Sequence, residues 1–203
     1  WLIVKRTIDS STKRYLEVIT PGLRDSENLD DSFFVDSGLS YDGTPISSVS
    51  GLDHLEGETI SVLVDGATHP SVVVTSGSIT LNASYSKIHA GLPYTSKLKT
   101  MKIESGAVTG STAQGATKRI SNVVLRLFRS LGVKIGTSET KLDLIPFRSS
   151  ANSMDSSVGL FTGDKEIPLR SGYETDGHIF VQQDQPLPLT ILALIPRVKT
   201  NGK

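Results

Sequence analysis

The chain has 203 residues, 37% of them hydrophobic and 21% charged, with 21 basic residues against 21 acidic ones and no cysteine. That length allows one large core or two small ones. The composition excludes disulfides and thiolate metal sites, and zero net charge withholds the basic excess usual in nucleic-acid binders, although a passing polyanion stays open as cargo.

Residues 1–4 (WLIV) are too short for a signal peptide and are followed, not preceded, by basic residues. No run reaches the ~18 apolar residues of a membrane span. The longest candidate, 187–195, is interrupted by Pro188 and Thr190. Because the first residue is Trp and sits in a strand-like run, the chain reads as a fragment or processed product.

Residues 1–8 and 14–19 read as two strands of a hairpin around the polar loop 9–12. Residues 21–31 are acidic and irregular, 33–35 (FFV) form a short apolar run, and 36–43 read as turn chemistry ending in Asp42-Gly43. From 44 to 104 short alternating runs are separated by small turns. In 59–66 (TISVLVDG), Ile60, Val62 and Val64 share one face, and Asp65-Gly66 closes the strand as a hairpin turn. Further strands are expected at 71–75, 78–81, 87–90 and 98–104, with breaks at Ser76-Gly77, 82–86 and 91–96. Many short strands at this spacing predict a small closed barrel or sandwich.

Residues 105–117 (SGAVTGSTAQGAT) have no aliphatic weight and read as a linker or exposed loop. Residues 118–131 fit two periods. Ile120, Val123, Val124, Leu127 and Leu131 suit a helix, whereas Val123, Leu125 and Leu127 opposite Arg126 suit a strand. The Val pair, Phe128 and the missing capping box favour the strand, with helix the alternative. Strands follow at 133–136, 142–145, 178–182 and 189–195, with Pro186, Pro188 and Pro196 placed at strand ends.

The expected fold is all-β with few helices. A small closed barrel or sandwich at 44–104 is inserted in, or follows, a second β-sandwich-like domain built from 1–43 and 105–203.

Reactive constellations are thin. Asp53, His54, Glu56 and Glu58 form the densest polar cluster, but Gly57 breaks any shared helical face, so solvated or backbone-bound carboxylates are the plainer reading. Asp30, Asp31, Asp36 and Asp42 could supply a carboxylate pair, yet Asp is above all a turn former. Residues 38–42 (GLSYD) lack the last glycine of a hydrolase elbow, and His54, His69, His89 and His178 are scattered with no nucleophile beside them in sequence. The glycines of 106–115 lack a phosphate-loop Lys and the strand–helix context of a dinucleotide site. The basic spots Lys5-Arg6, Lys13-Arg14, Lys118-Arg119, Arg126 and Arg129 read as solvated strand faces. No catalytic, cofactor-binding or metal-binding residue is assigned, no cofactor is expected, and the chain reads as a non-enzyme.

An ordered series of segments carries a resemblance. Residues 1–6 (WLIVKR) with 13–17 (KRYLE), then 33–43 (FFVDSGLSYDG), 51–58 (GLDHLEGE), 62–66 (VLVDG), 77–81 (GSITL), 91–98 (GLPYTSKL), 146–149 (PFRS) and 185–197 (QPLPLTILALIPR) resemble the C-terminal part of the tail nozzle, or tail tubular protein B, family of short-tailed bacteriophages. The family's propeller-like portion is not evident in these residues. The resemblance implies a structural virion protein of the tail, assembled in the host cytoplasm. It implies a six-fold homo-oligomeric ring beneath a tail adaptor protein, with tail fibres as possible neighbours. Genomic DNA would pass through the ring without being read. Loops 21–31, 105–117 and 149–159 are candidates for ordering against a neighbouring copy. The alternative is a receptor- or glycan-binding module at the tail tip, for which Tyr41, Tyr85, Tyr94 and Tyr173 are candidate contacts.

Overall fold

Thirteen strands account for most of the chain in the computed structural model, which describes residues 1–8, 10–104, 115–154 and 156–201. Strand makes up 57% of it and helix 3%, with no helix of seven residues or more among the described residues, so the class is all-β. Two units form, one from Trp1–Tyr94, Arg148–Gly159 and Gln185–Pro188, the other from Thr95–Phe147, Leu160–Asp184 and Leu189–Lys203.

Unit one begins with the expected hairpin, β1 (Leu2–Ile8) against β2 (Ser11–Glu17), in a register that sets Val4 opposite Tyr15 and Lys5 opposite Arg14. A four-stranded antiparallel sheet follows in the order β3 (Asp36–Ser50), β6 (Ser78–Leu92), β4 (Thr59–Val64), β5 (Ala67–Val73). Asp65 and Gly66 both have positive φ, as do Ser76 and Gly77, the requirement of tight two-residue hairpin turns. Ile60, Val62, Val64, Ile79, Leu81 and Ile88 form the core with Leu52 and Leu55, which flank and end a one-turn 3-10 helix (Asp53–Leu55).

This sheet is open, which corrects the closed barrel expected at 44–104. The runs 78–81 and 87–90 are one 15-residue strand that continues through 82–86. Residues 36–43, read as turn chemistry, belong to β3, whose pairing with β6 shifts register between Asp36 and Leu39, Asp42 and Ile46, and Ile46 and Ser48. Asp42-Gly43 is therefore absorbed as an irregularity inside a bent edge strand instead of reversing the chain. Longer and fewer strands leave four in the sheet, too few to close on themselves.

Unit two contains β7 (Ser96–Lys99), β8 (Thr117–Ser130), β9 (Lys134–Ser138), β10 (Lys141–Leu144), β11 (Phe161–Pro168), β12 (Phe180–Gln183) and β13 (Ile191–Asn201). They form two antiparallel sheets, β10-β9-β12-β7 and β11-β8-β13. Residues 118–130 are strand, as the period of two indicates: Val123, Leu125 and Leu127 are fully buried and Arg126 is exposed. These three meet Ile135 and Val181 of the other sheet, and Ile179 just ahead of β12, in one core. Strand β7 pairs with β12, so residues 96–99 build this unit's sheet. Pro196 lies inside β13, not at its end as expected. It is tolerated there because β13 is an edge strand, as are β3 with Pro45 and β5 with Pro70.

Candidate interaction surfaces

The residues singled out in the sequence are drawn mostly into structural work. The Glu56 carboxylate accepts the backbone N–H of Ser76 (2.9 Å) and Gly77 (2.7 Å), clamping the β5–β6 turn. Asp53 packs against Gly77, where a Cβ would lie 2.4 Å from Asp53 Oδ1. His54 Nε2 donates to the Ser37 carbonyl at 2.7 Å, and its ring meets Tyr15 edge-on. Among the described residues no three His, Asp or Glu side chains converge as a metal site.

The four loop aspartates divide. Asp30, Asp31 and Asp42 gather round Lys87, with the shortest contact to Asp31, while Asp36 takes the Arg6 guanidinium at 3.1 Å. The Lys87 hydrogen bond, chiefly, and the Asn28 backbone N–H hold the Asp31 carboxyl below its usual range.

The structure brings together one pair that sequence inspection missed. Ser40 and His89 stand directly opposite across β3 and β6, with Ser40 Oγ 2.6 Å from His89 Nδ1. His89 Nε2 donates to the Asp30 carbonyl at 2.8 Å, so the imidazole is the tautomer whose Nδ1 accepts the Ser40 hydroxyl. The signal available in sequence was strand pairing across 49 residues, which adjacency cannot reveal. Burial, reinforced by Lys87, depresses the His89 pKa against the opposing Asp30 bond. A serine nucleophile needs a substrate cavity and oxyanion donors. Neither side chain lines the cavities of this unit or the next described below.

Of the four tyrosines named as candidate contacts, Tyr41 donates to the Thr44 carbonyl and Tyr85 to Asn82 Oδ1, each at 2.7 Å, and both pack on the core. Tyr94 and Tyr173 are exposed. Tyr94 borders an apolar groove of about 640 Å³ in unit one with Tyr15, Leu16, Ile19, Phe33 and Phe34. Beside it the hairpin leaves Ile3 and Leu16, a directly opposed pair, 77% and 66% exposed.

The loop 21–31 is ordered within unit one. Leu29 is buried, Glu27 accepts the Arg24 N–H at 2.7 Å, and Asp31 binds Lys87. In 149–159, Arg148 reaches the carbonyls of Ser153 and Ser156. Most of the third loop, 105–117, lies outside the described residues.

Charge is where the fold departs furthest from the sequence reading. Unit one contains 7 Lys and Arg against 13 Asp and Glu, and unit two contains 14 against 8, which together account for all 21 of each sign. The neutral chain is thus a unit of net charge −6 and another of net charge +6. Within the acidic unit the spots Lys5-Arg6 and Lys13-Arg14 are set in register, Lys5 opposite Arg14 and Arg6 opposite Lys13. Like charges directly opposed destabilise a strand pair. Arg6 is neutralised by Glu17 and Asp36.

In the basic unit a cavity of about 840 Å³ is lined by Lys99, Lys102, Lys118 and His178, with Asp176 as the acid among them. Lys118, read as part of a solvated face, is 1% exposed, whereas its neighbour Arg119 points to solvent. No protein-family model matches the chain, and no curated protein matches it.

Proposed function

We propose that this chain is a structural subunit of a short-tailed phage tail, part of the distal nozzle through which DNA leaves the particle. Its rigid β units associate with sister copies, and no side chain is required to make or break a covalent bond. The observation that carries the oligomeric part of this reading is the opposite charge of the two units. A head-to-tail ring needs two different, mutually attractive surfaces on each subunit, and surplus charges of −6 and +6 on the two units support a contact of that kind. The exposed Ile3–Leu16 pair adds apolar area to such a contact. The ordered series of segments that resembles the nozzle family supports the rest of the proposal: six-fold closure, a tail adaptor protein above, tail fibres as possible neighbours, DNA as unread cargo, and a virion location after assembly in the host cytoplasm.

Sedimentation of the full chain tests the association. Between about 0.01 M and about 1 M NaCl the screening length falls from ~30 to ~3 Å. Oligomers are expected at the lower salt and dissociation at the higher. A monomer at both, with and without the adaptor protein, refutes the reading. Labelling of phage tails with an antibody to this chain is expected to mark the distal end.

A second reading, a glycan- or receptor-binding module, is favoured by the groove that Phe33, Phe34 and Tyr94 line, since exposed aromatic faces beside a cleft suit sugar rings. Glycan-array binding that Tyr94→Ala abolishes is the result that would select it.

A further inference from the structure

We infer that the cavity of unit two is a phosphate-binding site centred on Lys118, an inference that does not rest on the nozzle reading. The argument begins with strand alternation. Thr117 and Arg119 face solvent, so Lys118, the second residue of β8, is directed inward. Its path is built for it: the stem crosses Gly177, where a Cβ would come within 2.8 Å of Lys118 Cδ. The same glycine has a φ of +63°, so both the space and the backbone select against a side chain there.

A side chain this buried needs partners for its charge. Lys118 Nζ donates to the Ile103 carbonyl at 2.9 Å, one bond for a group with three donors, and no ion pair joins it to a carboxylate among the described residues. The acid of the cavity, Asp176, is already engaged by Lys102 at 2.6 Å. Lys99 stands with its nitrogen 5.3 Å above the Phe180 ring, a contact that leaves its N–H donors available. Thr100 Oγ1 accepts the Ile179 N–H at 3.0 Å, so its own hydrogen is free to donate. His178 Nδ1 donates to the Thr100 carbonyl at 2.9 Å, which fixes the ring at the cavity wall.

Three lysines against one aspartate leave the lining two positive charges in surplus, within a unit of net charge +6. A phosphate carries up to two negative charges and several acceptor oxygens, and Lys serves it as a compact point charge. The ligand chemistry is therefore a phosphate oxyanion, offered either by a free phosphate or by the backbone of a nucleic-acid strand.

The full chain is titrated with inorganic phosphate at constant ionic strength while the His178 imidazole is followed by NMR and the melting temperature is recorded. A saturable His178 shift and a rise in melting temperature are expected, since a ligand that binds the folded state stabilises it. Lys118→Met is expected to weaken binding roughly tenfold or more, the loss of one charge-assisted hydrogen bond. If Lys118→Met does not fold, the exposed variants Lys99→Gln and Lys102→Gln must each weaken binding, whereas Lys199→Gln on β13 must not. A short oligothymidylate titrated in parallel distinguishes the source: displacement of phosphate identifies a strand backbone, and binding of phosphate alone identifies the free ion. Equal effects of chloride and phosphate, no saturable response to either probe, or full binding by a folded Lys118→Met overturns the site.

Discussion

The hairpins β1–β2 and β4–β5 share one local pattern and differ in almost everything that follows from it. Both alternate apolar and polar residues. In β4 the neighbour on each side is another strand, and Ile60, Val62 and Val64 are buried. In β1–β2 the sheet stops at two strands, so one face rests on unit one through Arg6, Tyr15 and Ile8 while Ile3, Lys5, Arg14 and Leu16 are left to solvent. A two-stranded sheet is marginal by itself. The same alternation thus makes a core where strands continue on both sides and an interaction surface where they do not.

Core truncation is the largest expected break in this comparison. Ile60→Ala in β4 and Leu125→Ala in unit two should each cost about 2–5 kcal/mol in urea denaturation, whereas Leu16→Ala on the hairpin should stay within about 0.5 kcal/mol. A Leu16→Ala cost comparable with the core values would mean that the hairpin's outer face is already covered in the isolated chain.

Gly77→Ala in the β5–β6 turn comes next. Its φ of +64° and the 2.4 Å approach to Asp53 predict a loss of roughly 1–3 kcal/mol by the same measurement. Lys87→Met should cost about 1 kcal/mol, reduced by solvent screening of a partly exposed cluster, because Asp30, Asp31 and Asp42 then repel one another. That loss should shrink at low pH, where the carboxyls are neutral. Arg126→Ala, which removes an exposed pair with Asp164, should leave stability unchanged.

The pH dependence separates the two groups of unit one. His89 is held below its ordinary 6.5, so the folded state binds its proton less readily than the unfolded chain. Its contribution is full above that value and is lost as pH falls through the depressed folded value. Asp31 is likewise depressed from 3.8, and its contribution is lost at still lower pH. Stability measured from pH 8 to 3 should therefore decline in two stages. His89→Gln should remove the upper stage and leave the lower.

Much of the fold was legible where a single strand's pattern was enough. The tight turns at Asp65-Gly66 and Ser76-Gly77 announce themselves by residues that tolerate positive φ. Strand β8 was readable because Val123, Leu125 and Leu127 alternate with Arg126. Strand β3 was not, because Asp42-Gly43 and Pro45 carry the chemistry of a chain reversal, and a bent edge strand can absorb it. Strand β11 escaped notice because Phe161–Pro168 is largely polar and borrows its order from β8. The Ser40–His89 contact depends on register between distant strands, and the phosphate cavity on Lys118 pointing inward, so neither was visible.

The amino-acid sequence alone determined the all-β class, the hairpin turns, the absence of thiol chemistry and the equality of positive and negative charges. Those properties depend on residue identity and on neighbours two to four positions away. Tertiary structure decided that the first sheet stays open, that Lys118 is buried, and that the charges segregate into −6 and +6. Each of these depends on which distant segments fold into the same unit, a choice made by core packing and strand pairing over tens of residues.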